Sequence, residues 1–251
     1  MIRSTDRGAV TLVICLLAAG ASVGEEPRVR HVSGWGEVVD PLRDCKVSQD
    51  PARDRLMIAV PATPHVLSAE VVGMPLAAPR VVQGVYGDFR ATVRVVGKLD
   101  PGPSKSTHYD PYHGAGLLVW KSERSYLRLE RAVGMIRGRA TPYLNYEQRQ
   151  DGQLAFSRGI PIADHPIHLK IERKDGVIRA WHSPDGSKWS MLPDPAAPMI
   201  DRVEVGVVAI NSSQHLLRAE LEKFRIETSV ATEDPKEPST QPPSKLAKTG
   251  G

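Results

Sequence analysis

Cysteine is nearly missing from this chain: only Cys15 and Cys45 occur in 251 residues. Cys15 lies in an N-terminal apolar run that reads as a removable signal peptide. Its loss leaves Cys45 alone and excludes an intrachain disulfide. The core must then hold the fold unaided, with Cys45 expected as a small buried hydrophobe. Charge of one sign is also scarce. A formal net charge of +4 with no block of Lys or Arg provides no footprint for nucleic acid. Beyond the N-terminus no apolar run approaches about 20 residues, so no membrane span is expected. The chain has no convincing amphipathic helix, no repeat of fixed period, and no Ser-His-Asp elbow, Walker loop or dinucleotide fingerprint. No cofactor is expected.

What is there begins with an address. Arg3 and Arg7 precede the apolar residues 8–17, and Ala19-Gly20-Ala21 follows as a small-residue cleavage site. Residues 1–21 are expected to be a secretory signal peptide, placing the mature protein outside the cytoplasm, secreted or periplasmic. Ile14 ahead of Cys15 is too bulky for a lipoprotein signal. Residues 22–228 are expected to form one domain. Residues 229–251 shift to Pro, Lys, Glu, Ser and Thr, a composition that buries too little to offset its ordering entropy, so a disordered tail is expected.

Within the domain the dominant signal has a period of two. Ile167, Leu169 and Ile171 alternate with His168, Lys170 and Glu172, as on a half-buried strand. Asp175-Gly176 then supplies a hairpin turn into residues 177–182, and Ser183-Pro184-Asp185-Gly186 supplies a second turn. Trp189 closes that unit and is expected to fold back onto the core, whereas Trp181 is expected to face outward with Arg179. Further strands are predicted at residues 35–41, 55–61, 80–86, 88–96, 115–120, 126–131, 203–210 and 217–226. A hairpin over 144–158 turns at Asp151-Gly152. Residues 99–114, with three prolines and two glycines, are expected to be a surface loop. About twelve closely spaced strands indicate an all-β antiparallel sandwich or barrel.

The segments GAGLLVWKSERSYLRLER, HLKIERKDGVIRAWHSPDGSKW and VEVGVVAI, in that order, resemble a bacterial domain labelled "regulation of enolase protein 1". That domain belongs to the concanavalin A-like lectin/glucanase superfamily. The resemblance spans about residues 35–227, and its most specific part is the S-x-D-G-x-x-W element ending at Trp189. It implies a single jelly-roll sandwich of two curved antiparallel sheets, with carbohydrate-binding modules, lectins and accessory sandwiches of some xylosidases among its relatives. A secreted chain does not meet cytoplasmic enolase, so the partner expected from the resemblance is a glycan.

Retaining glucanases of that superfamily set two carboxylates on one strand as E-x-D-x-E. Alternate positions share a face there and bring the carboxyls to about 5–5.5 Å. This chain departs from the pattern: Glu130, Glu147 and Glu172 stand on separate strands without acidic neighbours at ±2. No catalytic residue is assigned, although a pair assembled across strands remains open. If Leu127 and Leu129 face inward, Tyr126, Arg128 and Glu130 share the opposite face, and Tyr143, Asn145 and Glu147 do likewise on the next strand. Rings that stack on sugar C–H faces and planar polar groups that hold hydroxyls would suit a concave glycan-binding face, and Arg179 with Trp181 add a similar pair. The same side chains equally suit ordinary cross-strand pairs on a solvated sheet. In the long loop, His108, Tyr109, Asp110, Tyr112 and His113 are candidates for a pocket rim, but their spacing matches no metal signature and no metal is assigned. Asn211-Ser212-Ser213 fits a glycosylation sequon. The expectation is a non-catalytic carbohydrate-binding module. The alternatives are a glycoside hydrolase or lyase with carboxylates from separate strands, and a structural or protein-binding sandwich.

Overall fold

The computed structural model describes residues 30–67, 76–103, 110–193, 196–199 and 202–228. The signal peptide and the tail expected from sequence lie outside the described residues, as do His108 and Tyr109. Among the described residues, fifteen strands appear in chain order. The first six are β1 (Arg30–Val32), β2 (Gly36–Val39), β3 (Lys46–Asp50), β4 (Arg55–Val60), β5 (Arg80–Val85) and β6 (Phe89–Val95). The long central strands are β7 (Tyr112–Ser122), β8 (Ser125–Ile136), β9 (Arg139–Gln150) and β10 (Gln153–Pro161). The last five are β11 (Ile167–Lys174), β12 (Val177–Ser183), β13 (Ser190–Met191), β14 (Val203–Asn211) and β15 (Leu217–Thr228).

Two sheets result, one ordered β1-β2-β5-β14-β7-β8-β9-β10 and the other β13-β12-β11-β6-β15-β4-β3. Their paired strands run antiparallel, and β14 and β15 return late in sequence to fill the middle of each sheet. This is the two-sheet antiparallel sandwich expected from the strand density. Among the described residues, only Pro51–Arg53 form a helical turn, and no helix is long and apolar enough to cross a membrane.

Alternation decides which side chains meet between the sheets. Ile167, Leu169 and Ile171 of β11 and Phe89, Ala91, Val93 and Val95 of β6 are buried, while the residues between them reach the outer face. Leu127 and Leu129 of β8, with Leu144 and Tyr146 of β9, meet them from the opposite sheet within one core cluster. Trp35 stacks on Phe224 with ring centroids 5.4 Å apart. Burial of this apolar surface, with Cys45 free, takes the place of any disulfide.

The Asp-Gly turns behave as the residue types require. Asp175 and Gly176 have φ of 51° and 76°, and Asp151 and Gly152 have φ of 51° and 86°, the left-handed pair that two-residue hairpins need. At the S-x-D-G-x-x-W element, Asp185 Oδ1 accepts the backbone N–H groups of Ser187 and Lys188 at 2.8 and 2.9 Å. These bonds hold its carboxyl well below the usual carboxylate range.

Several expectations are corrected. Trp189 does not fold onto the core. It is half-buried on the outer face beside Trp181, and the Lys170 ammonium lies 4.3 Å from the Trp181 ring centroid and 4.5 Å from that of Trp189. The turn delivers the chain along the sheet edge, where β13 pairs with β12, and this places the Trp189 ring on the outer face against the Lys170 ammonium. Residues 112–114 are strand rather than loop, because Tyr112 pairs with Gly134 and carries the β7–β8 ladder past the glycines. At a core-side position of β11, Arg173 is 2% exposed and donates to the carbonyls of Gly87 and Met199, with its guanidinium over Phe89. Hydrogen bonding makes that buried cation tolerable.

Candidate functional site

The outer face of the eight-stranded sheet is not solvated throughout. At one end, Leu118, Trp120 and Tyr126 of β7 and β8 join Val82, Val208 and Ile210 beneath Val66, Leu67 and Ala78, forming a second apolar cluster. Trp120 and Tyr126 stack with centroids 5.7 Å apart, and the Arg80 guanidinium caps Trp120 at 4.2 Å. Next to that cluster the same face turns polar.

Register creates the polar patch. On β8 and β9, Arg128 lies opposite Glu147 and Glu130 opposite Asn145, because Leu129 and Tyr146 take the inward positions between them. Arg128 Nη2 donates to Glu147 Oε2 at 2.8 Å, and its Nη1 lies 3.6 Å from Glu130 Oε2. Glu147 Oε1 accepts the Tyr126 hydroxyl at 3.3 Å and faces Arg149 Nε at 3.4 Å. Glu130 Oε2 accepts the Tyr112 hydroxyl at 2.5 Å and the Asn145 amide at 3.2 Å. Among the described residues, Glu130 Oε1 and Arg128 Nε have no hydrogen-bond partner although both are buried, and Glu130 is 0% exposed.

Burial raises the Glu130 carboxyl above its ordinary value, and Arg128 only partly offsets that. Burial alone would lower Arg128, but the charges of Glu130 and Glu147 outweigh it and lift the guanidinium higher still. The phenols of Tyr112 and Tyr126 are pushed up by burial, and that of Tyr143 is pushed up to about 12 by burial and the Glu130 charge. All three therefore remain neutral hydroxyls. Tyr112 and Tyr143, both half-buried, stand at the edge with centroids 6.3 Å apart and planes at 59°. The arrangement is a buried polar floor with two aromatic rings beside it, able to exchange hydrogen bonds with a hydroxyl-bearing ligand.

The sequence candidates thus divide. Tyr112, Arg128, Glu130, Tyr143, Asn145 and Glu147 come together. Tyr126 joins them only as a support for Glu147: at 0% exposure, inside the apolar cluster, it offers no ring to a ligand. Arg179 and Trp181 belong to the other sheet, where Trp181 pairs with Lys170 and Arg179 with Glu172. Asp110 is exposed, and His113 points to the inner side of β7, where its Nε2 meets Ser213 Oγ at 2.8 Å. Burial holds His113 down at about 4. Asn211, the sequon residue, is 0% exposed, and its amide donates to the carbonyls of Pro61 at 2.6 Å and His215 at 2.9 Å.

Three participants escaped the sequence reading. Arg149 continues the Asn145-Glu147 alternation by one step and was legible in that period. Gly114 and Gly116 were not. A Cβ on Gly114 would stand 2.5 Å from the Tyr112 hydroxyl, and one on Gly116 would stand 2.1 Å from the Leu129 carbonyl oxygen beside Glu130. Only bare backbone at these places lets Tyr112 lie down toward Glu130.

No protein-family model matches this sequence, and no curated protein matches it either. The resemblance to the "regulation of enolase protein 1" domain therefore rests on the residues quoted above. Solved structures do match. A functionally unknown protein from Saccharomyces cerevisiae aligns with a TM-score of 0.58 and 16% identity, covering 78% of this chain and 98% of that one. A xylan β-1,4-xylosidase from Bacillus halodurans aligns with a TM-score of 0.50 and 13% identity over 68% of this chain. The match covers 33% of the xylosidase, so this chain corresponds to about a third of that enzyme. The carbohydrate-binding module CBM66 from Bacillus subtilis aligns with a TM-score of 0.48 and 10% identity, covering 79% of this chain and all of that one. At these identities the likeness establishes the fold alone, a two-sheet antiparallel sandwich.

Proposed function

We propose that this protein is a non-catalytic carbohydrate-binding sandwich whose ligand site is the polar patch of β7, β8 and β9. The observation that carries the reading is the pair of half-buried rings, Tyr112 and Tyr143, near Arg128, whose side chain is 12% exposed above the buried carboxylates. A guanidinium within reach of the surface donates to sugar hydroxyls, which both donate and accept. Tyr112 and Tyr143 supply ring faces for the sugar's C–H surface. Likeness to a third of a xylan β-1,4-xylosidase makes xylan the first ligand to try. Delivery outside the cytoplasm by residues 1–21, kinship with the "regulation of enolase protein 1" domain, and a disordered tail over 229–251 belong to the same proposal. The test is titration calorimetry of the full-length protein against xylan, glucan and arabinan oligosaccharides. Saturable binding that Tyr143→Ala weakens by more than about tenfold, as loss of about 1.4 kcal/mol requires, supports the site. Binding unchanged in Tyr143→Ala refutes it.

A second reading draws on the two carboxyls themselves. Burial raises the Glu130 carboxyl, as a general acid in glycoside hydrolysis requires, and Glu147 lies across Arg128 from it. Reducing sugar released by the protein and abolished by Glu130→Gln would favour this reading over simple binding.

A further inference from the structure

A second cluster lies apart from the polar patch, where the turn after β2 meets residues 61–67. The turn is tight: Arg43, at φ 59°, donates its N–H to the Asp40 carbonyl at 3.1 Å. Asp40 Oδ2 then accepts the Cys45 N–H at 3.1 Å. The other arm is pinned to the end of β14 by the His65–Asn211 bridge, with N–H···O contacts of 2.6 and 3.1 Å. These constraints bring Asp44 Oδ1 to 2.9 Å from His65 Nε2 and 3.6 Å from Cys45 Sγ, and the three donor atoms all lie within 4.8 Å of one another.

The imidazole is held in an informative way. Its Nδ1 lies 2.8 Å from the Thr63 carbonyl oxygen, which only accepts, so Nδ1 carries the proton. Nε2 is left facing a carboxylate oxygen, with the ring 0% exposed. A lone pair opposite a carboxylate is unfavourable, so this position calls for either a second ring proton or a metal ion between the two. A backbone carbonyl on Nδ1 is also the outer partner that metal-ligating histidines use to set their tautomer. Asp40 adds an independent sign. Its side chain is 4% exposed, its Oδ1 has no partner among the described residues, and its Oδ2 holds the Cys45 backbone in place.

We propose that Asp44, Cys45 and His65 form a zinc-binding site that clamps the β2–β3 turn to residues 61–67, its fourth position left to water. One sulfur, one imidazole nitrogen and one carboxylate oxygen make a borderline-soft donor set that suits zinc and not the all-oxygen cages of calcium or magnesium. Around a tetrahedral zinc with bonds of about 2.0–2.3 Å, ligand atoms stand about 3.3–3.8 Å apart. The Asp44–Cys45 separation already falls in that span, and Asp44–His65 needs a few tenths of an ångström of opening. Burial and the two carboxylates hold the Cys45 thiol well above its ordinary value, so it is not an activated nucleophile. Zinc would expel that proton on binding.

The experiment uses the full-length protein stripped of metal with chelator and titrated with Co2+ and then Zn2+. One equivalent of Co2+ should produce a thiolate-to-cobalt charge-transfer band with the visible absorption of a four-coordinate ion. The thiol proton should be released as Co2+ binds; Zn2+ should then erase both absorptions with no further proton release, and the zinc-loaded protein should melt above the metal-free one. Cys45→Ser should remove the charge-transfer band, and Cys15→Ser should leave it intact. Asp44→Asn changes a half-exposed carboxylate and leaves the fold standing. It should weaken Zn2+ binding by at least about 10–100-fold, the loss that removing even an outer partner brings. No band at one equivalent, a band that survives Cys45→Ser, or Zn2+ affinity unchanged in Asp44→Asn overturns the proposal.

Discussion

Replacing Arg128 with Met tests whether the polar patch is an electrostatic unit. The guanidinium sits between two carboxylates, 2.8 Å from Glu147 and 3.6 Å from Glu130, on side chains 8% and 0% exposed. Met keeps the length of the stem and removes the charge. Arg149 Nε stays 3.4 Å from Glu147, so the charge left without a cation is mainly that of Glu130. Breaking a buried pair from one side costs about 3–5 kcal/mol, and Arg128→Met should lose that much at pH 8. The loss should depend on pH. Without Arg128, the Glu130 carboxyl rises further above its unfolded value of about 4.3, so the folded chain binds the proton that the unfolded chain has released. The deficit relative to the parent is then full above the folded value and shrinks as pH falls toward 5. Adding Glu130→Gln should recover most of it at pH 8. Urea unfolding followed by circular dichroism at pH 8 and 5.5, always as variant minus parent, measures all three quantities. A loss below about 1 kcal/mol, or one equal at both pH values, would refute the account of the patch.

Three further outcomes follow from the same geometry. Gly114→Ala places a methyl 2.5 Å from the Tyr112 hydroxyl and should cost about 1.5–3 kcal/mol, the worth of its bond to a charged partner; an unchanged urea midpoint would show that Tyr112 does not rest there. His113, held down at about 4, gains no proton until well below the pH at which its unfolded form does. Stability should therefore fall between about pH 6.5 and 4 by roughly 2–3 kcal/mol, and His113→Asn should flatten that limb in acid titrations; identical limbs contradict the assignment. Trp189→Ala removes a half-buried ring stacked on Lys170 rather than a core residue, so thermal or urea unfolding should register about 1–2 kcal/mol instead of the 3–5 typical of core tryptophans.

Much of the fold was legible because strands write themselves at short range. The alternation through Ile167, Leu169 and Ile171 and the Asp175-Gly176 and Asp151-Gly152 turns each need only neighbouring residues to be read, and all are present. Where local pattern was weak, elements went unread. Lys46–Asp50 has no apolar period and is a strand because Leu56 and Ile58 of β4 draw its backbone into pairing. Tyr112 looked like loop because its neighbours in sequence are prolines and glycines, while its neighbours in space are β8 and Glu130.

The sites divide in the same way. Period two alone determined that Arg128 and Glu130 share a face, as do Tyr143, Asn145 and Glu147, since alternate side chains on any strand do so. It did not determine that Arg128 stands opposite Glu147, nor that Trp181 belongs to a different sheet. Cross-strand register and strand order arise from closing long loops between residues far apart in sequence. Tertiary structure alone also decided burial, and burial changes the chemistry: it takes Tyr126 out of reach of a ligand and raises the carboxyl of Glu130. The meeting of Asp44 and Cys45 with His65, twenty residues on, shows the same division most plainly. Sequence supplied the donor atoms, and only the folded backbone, pinned at Asn211, brought them together.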